Sequence, residues 1–137
     1  LMTAAVFAMA GGAVATPPLS AAPDRLSVSA LYECYGTTGS CIAAANMTTD
    51  TVTISSTGGT GAGPTYSWAK VSGDTFTITA STSAATAFSA SVNRGTAKTA
   101  VYRCTVTRGV ATYDVDVPVT GTYTYANDTD PPIGLEP

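Results

Sequence analysis

The sequence predicts an all-β sandwich, and three observations predict it. Apolar residues alternate with Thr and Ser in segment after segment, the period of two that gives a strand one buried and one wet face. Clusters of Gly, Asn, Asp and Pro punctuate these segments at short intervals, and no stretch carries the helical period. Trp68 sits in the third segment and Tyr102-Arg103-Cys104 in the sixth, which places an indole, a phenol and a thiol where two facing sheets would meet. At 137 residues and 45% apolar content, the chain is long enough for one core with flanking segments and too short for two.

Residues 1–25 open on an Ala/Gly-rich stretch whose larger apolar side chains include Leu1, Met2, Val6, Phe7 and Met9. Small residues at Ala13 and Ala15 resemble a signal-peptide cleavage site, but no Lys or Arg precedes Arg25 and Gly11-Gly12 interrupts the apolar run. The run is also too short to span a bilayer. Ordering such an end costs roughly 1–2 kcal/mol of backbone entropy per residue, which burial on a neighbouring subunit would offset. The expectation is an extended N-terminal assembly arm anchored by those five residues, with a cleaved signal as the alternative.

The sandwich is expected over residues 26–125, as about seven antiparallel strands. Leu26, Val28, Ala30 and Tyr32 share one face of the first, and 42–45 is a short edge piece. Val52 and Ile54 point inward from the second, which ends in the glycine-rich loop 57–64. Tyr66 and Trp68 share a face of the third, Phe76 and Ile78 of the fourth, and Phe88, Ala90 and Val92 of the fifth, closed by the turn Asn93-Arg94-Gly95. Tyr102, Cys104 and Val106 lie on one face of the sixth, Arg103 and Thr105 on the other. The last, 112–124, carries Val115, Val117 and Val119. Its Pro118 has no N–H for a central ladder, which predicts an edge position or a bulge. Residues 126–137 form an acidic, Pro-rich C-terminal tail, either a linker or a second arm.

Three cysteines allow at most one internal pair. Cys34 and Cys41 are the candidate disulfide, since Gly36 and Gly39 between them let two Cα atoms approach closely. Cys104 is then a buried core thiol.

A Trp at the core centre of the third strand, and a Tyr two residues before a Cys with its hydroxyl bonding back to the chain, mark the immunoglobulin-like sandwich. Trp68, Tyr102 and Cys104 are the fold-core residues on that reading. The second-strand cysteine of the antibody pattern is missing, with Ile54 and Ser55 in its place. Tyr66-Ser67-Trp68-Ala69-Lys70-Val71-Ser72-Gly73, the strand at 75–79 and Ala100-Val101-Tyr102-Arg103-Cys104-Thr105-Val106-Thr107 resemble the Ig-like and PKD-like modules of tailed-bacteriophage virion proteins. The resemblance covers about residues 26–125 and extends loosely to the arm. It implies a non-enzymatic structural protein of the virion, a capsid decoration, tail, tail-tip or fibre component. Its partners would be other virion proteins and multiple copies of itself. Bacterial surface adhesins and polysaccharide-degrading enzymes carry the same module. The alternative is therefore a carbohydrate- or host-surface-binding module, secreted or on the bacterial cell surface.

Six basic against nine acidic residues give a net charge of -3, with no basic cluster for phosphates or an anionic bilayer, so neither nucleic acid nor a membrane is an expected partner. Only 11% of residues are charged, well under the roughly 25% of an ordinary soluble domain, which predicts a hydroxyl-rich surface. The absence of His removes the commonest general base and metal ligand. No enzyme activity, metal or cofactor is expected. Asp114 and Asp116 face away from Val115 and Val117 and read as a solvated stripe that discourages edge pairing rather than an acid/base pair. Asn127, Asp128 and Asp130 resemble a linker calcium site without the Gly and Glu spacing of a complete loop. Asn46-Met47-Thr48 and Asn127-Asp128-Thr129 fit the glycosylation sequon, which matters only for a eukaryotic secreted chain. Tyr113, Tyr123 and Tyr125 form an aromatic stripe on the last strand. Tyr123 and Tyr125 are the candidate contacts for a weakly bound host-surface glycan, with plain sheet packing as the other reading.

Overall fold

The period-two alternation resolves into ten strands and no helix among the residues that this computed structural model describes, 19–35, 42–56 and 63–128. They are β1 (Leu19–Ala22), β2 (Leu26–Tyr35), β3 (Ala44–Thr48), β4 (Val52–Ser56), β5 (Thr65–Gly73), β6 (Thr77–Ile78), β7 (Ala85–Thr86), β8 (Phe88–Asn93), β9 (Ala97–Arg108) and β10 (Ala111–Asp128). One layer of the sandwich is a four-stranded sheet in the order β2-β10-β9-β5. The other is made of β1-β4-β7 and β3-β8-β6.

The strand count exceeds the expected seven because long strands are interrupted. Between the pairs Thr48 opposite Ser89 and Val52 opposite Thr86, four steps along one strand match three along the other. This is the signature of a bulge, and it leaves backbone groups without ladder partners. Two buried threonines repair the break. The Thr49 hydroxyl accepts from Phe88 N–H at 3.1 Å while Thr49 N–H donates to the Phe88 carbonyl at 2.9 Å. The Thr86 hydroxyl accepts from Ala80 N–H at 2.9 Å. Both threonines are buried, yet no buried side-chain nitrogen or oxygen is left unpaired among the described residues.

The domain begins earlier than expected. Residues Leu19 to Ala22 belong to the sandwich and not to the expected arm: they pair antiparallel with β4, and Leu19 and Ala21 pack on the core. Pro23, with no N–H to give, ends β1, and the chain crosses to the opposite layer to form β2. There β2 runs parallel to β10, from Leu26 opposite Val119 to Tyr35 opposite Asp128, so the sandwich is not wholly antiparallel. Pro118 falls one residue before β2 joins, where β10 has β9 alone beside it. It therefore costs no ladder bond on the β2 side. β10 continues to Asp128, into the stretch expected to be tail.

The main core cluster gathers Leu26, Val52, Ile54, Trp68, Phe76, Phe88, Tyr102, Cys104 and Val117 between the layers. Trp68 lies edge-on to Phe88 at 5.7 Å and donates its indole N–H to the Ser83 carbonyl at 2.8 Å. Tyr102 stacks at a tilt on Phe88 at 4.7 Å. Ala45, Met47, Val92 and Tyr123 form a second, smaller cluster.

Candidate functional site

Residues facing away from the core on the four-stranded sheet are mostly small and hydroxyl-bearing. Thr99 stands opposite Thr120 and Thr107 opposite Thr112 across the β9–β10 ladder, and Ser27 and Ser29 continue the face on β2. Its charges are paired across strands. Arg103 lies opposite Asp116 and binds it with two bonds, Nε to Oδ1 at 2.7 Å and Nη2 to Oδ2 at 3.2 Å. The Thr105 hydroxyl donates to Asp114 at 2.7 Å. The bonds from Arg103 hold the Asp116 carboxyl below its usual range, the direction opposite to that required of a general acid. Asp114 and Asp116 thus form the solvent-side polar stripe that their parity predicts. Among the described residues no group of three His, Cys, Asp or Glu is placed to hold a metal.

Cys104 lies opposite Trp68 in the β9–β5 ladder and is a free, fully buried thiol. Burial pushes its pKa up to about 11, against a smaller lowering by the Ser67 backbone, which makes it a poor nucleophile. Cys34 is buried and disulfide-bonded. Its expected partner, Cys41, lies outside the described residues, as do the anchors Leu1, Met2, Val6, Phe7 and Met9.

The aromatic stripe divides. Tyr123 is 0% exposed, and its hydroxyl donates to the Ile42 carbonyl at 2.7 Å. It is a core residue, and its assignment as a ligand contact is corrected. Tyr125 is 37% exposed and stands beside Tyr32, 40% exposed, across the parallel ladder. Both rings lie on the inner face near the far ends of β2 and β10, and the Arg94 guanidinium sits 5.9 Å from the Tyr125 ring centre.

The feature that the sequence analysis missed is the outer edge of β2. Leu31, on the hydroxyl-rich face opposite Thr124, is 70% exposed. Its one signal in the sequence was an apolar residue at a polar position of the alternation Leu26, Val28, Ala30, Tyr32. Among the described residues β2 has a strand on one side only. No known protein family matches the chain, and no curated protein or solved structure matches it either.

Proposed function

We propose that this chain is a non-enzymatic structural protein of a tailed-phage virion, a decoration or tail component that presents an Ig-like sandwich and is fastened to neighbouring subunits through its N-terminal residues. The observation that supports the reading is a core closely packed among the described residues. Both clusters close with residues between Leu19 and Tyr123, and no buried side-chain polar atom is left unpaired among the described residues. On this reading the apolar side chains of Leu1, Met2, Val6, Phe7 and Met9 are the ones that would meet partners. The hydroxyl-rich, charge-poor face suits lasting packed contact better than electrostatic steering.

The test is removal of residues 1–18, which spares β1. The shortened chain is expected to fold and to fail to enter the particle, and unchanged incorporation overturns the reading. A secreted module is the second reading, favoured by the adjacent exposed rings of Tyr32 and Tyr125. It predicts glycan binding that Tyr125→Ala abolishes, and an intact mass that shows cleavage near Ala15 or Ala22.

A further inference from the structure

The two edges of the four-stranded sheet are built differently. Along β5 the register slips at Val101/Tyr102, so that Val71 is the extra residue; Lys70 precedes it, and the strand ends at Gly73 with φ of 88°. Bulges and edge lysines are the devices by which native sheets discourage a further strand. The terminal strands of the other layer, β1, β3, β6 and β7, are protected by brevity, at two to five residues. β2 carries none of these devices. Its ten residues hold an unbroken register on β10, without proline, lysine or arginine, and Glu33 is their single charge. Its outer face presents Leu31 between serines and Glu33.

We infer that the outer edge of β2, which has no neighbouring strand among the described residues, binds β2 of a second copy of this chain, antiparallel about a twofold axis through Leu31, so that two four-stranded sheets become one of eight. A twofold contact must be self-complementary, and the sequence around Leu31 is. Leu31 meets Leu31 and buries the most exposed leucine of the domain. Ala30 faces Tyr32, a small residue against a large one, on the inner side. Ser29 faces Glu33, a hydroxyl against a carboxylate, and no like charges oppose one another. Other registers match less well: an axis through Ala30 sets Leu31 against Ser29, one through Tyr32 sets Glu33 against Leu31, and one through Glu33 opposes two carboxylates. The pairing uses nothing from residues 1–18, so it stands or falls separately from the role proposed for them. Particle entry reads the one and self-association the other.

The experiment uses the full chain. Sedimentation velocity over a concentration series is expected to show a monomer–dimer equilibrium, which Leu31→Lys weakens by about tenfold or more. Residue 31 of each copy would lie about 4.5–5.5 Å apart between Cα atoms, within disulfide reach. Leu31→Cys is therefore expected to form a covalent dimer under mild oxidation. Ser29→Cys, about 13 Å from its own symmetry mate at the strand rise, is expected not to. Near-ultraviolet dichroism of Trp68 checks that each variant is folded, and Leu31→Ser replaces Leu31→Lys if the lysine is not tolerated. A chain that stays monomeric to about 1 mM, or Ser29→Cys cross-linking as fast as Leu31→Cys, overturns the inference.

Discussion

The hydroxyl of Tyr102 and the backbone of Phe76 are bonded twice, the hydroxyl donating to the Phe76 carbonyl at 2.8 Å and accepting from its N–H at 2.7 Å. The contact ties β9 to the short segment before β6 in the other layer. Tyr102→Phe leaves both Phe76 groups buried without a partner, and roughly 1–3 kcal/mol of stability should be lost. Urea unfolding followed by Trp68 fluorescence reads this, and an unchanged midpoint would refute the bridging role.

Thr49 makes a parallel case in the interrupted ladder. Thr49→Val keeps the shape but removes the acceptor for Phe88 N–H, so a loss of about 1–3 kcal/mol is expected. Thr49→Ser keeps the oxygen and should recover most of it. Loss in Thr49→Ser with none in Thr49→Val would mean that the methyl group, and not the hydrogen bond, matters.

Gly73 and Gly109 both have positive φ, 88° and 62°, in different surroundings. A Cβ at Gly73 would fall 2.4 Å from the Thr99 carbonyl oxygen, whereas at Gly109 it meets nothing within 4 Å. Gly109→Ala should cost about 1 kcal/mol from backbone strain alone. Gly73→Ala should cost roughly 1–3 kcal/mol more, since the clash is with backbone that must move. Thermal midpoints of the two variants give the ordering, and the reverse order would contradict it.

Cys104 gives the domain a dependence on alkaline pH. Its thiol in the unfolded chain ionises near pH 8.5–9, whereas burial raises it to about 11 in the folded one. The unfolded chain therefore binds fewer protons between these values. The stability linked to the thiol is complete below about pH 8.5 and lost as pH rises through about 11. The advantage of the native protein over Cys104→Ala should shrink by roughly 2–3 kcal/mol across that window. A difference constant from pH 8 to pH 11 would show that the thiol does not titrate this way. Native Cys104 should also resist thiol reagents until the protein unfolds.

Trp68, Tyr102 and Cys104 were legible in the sequence because their roles depend on spacing within a strand and on chemistry that only a core satisfies. Asp114 and Asp116 were legible for the same reason, since parity along β10 fixes their face. Tyr123 and Tyr125 share that parity, yet one is core and the other half exposed. The difference depends on how far the opposite layer extends beneath β10, which no local pattern encodes. The parallel partnership of β2 with β10 joins residues about ninety positions apart and is equally invisible locally. β1 was missed because Leu19-Ser20-Ala21-Ala22 is too short and too small-sided to stand out before a proline.

That parallel partnership determines how the domain answers a mechanical load. Tension applied along the chain from both sides meets the four-residue pairing of β1 with β4 first; beyond it the load enters β2 at its Leu26 end and leaves β10 at its Asp128 end, the two opposite extremities of one ladder of ten residue pairs. The strands are then dragged past each other lengthwise, and the rungs share the strain together instead of parting one after another as they would in a hairpin pulled open at its mouth. A protein that had to stay folded while held at both ends would be well served by placing its first long strand and its last side by side in the same direction.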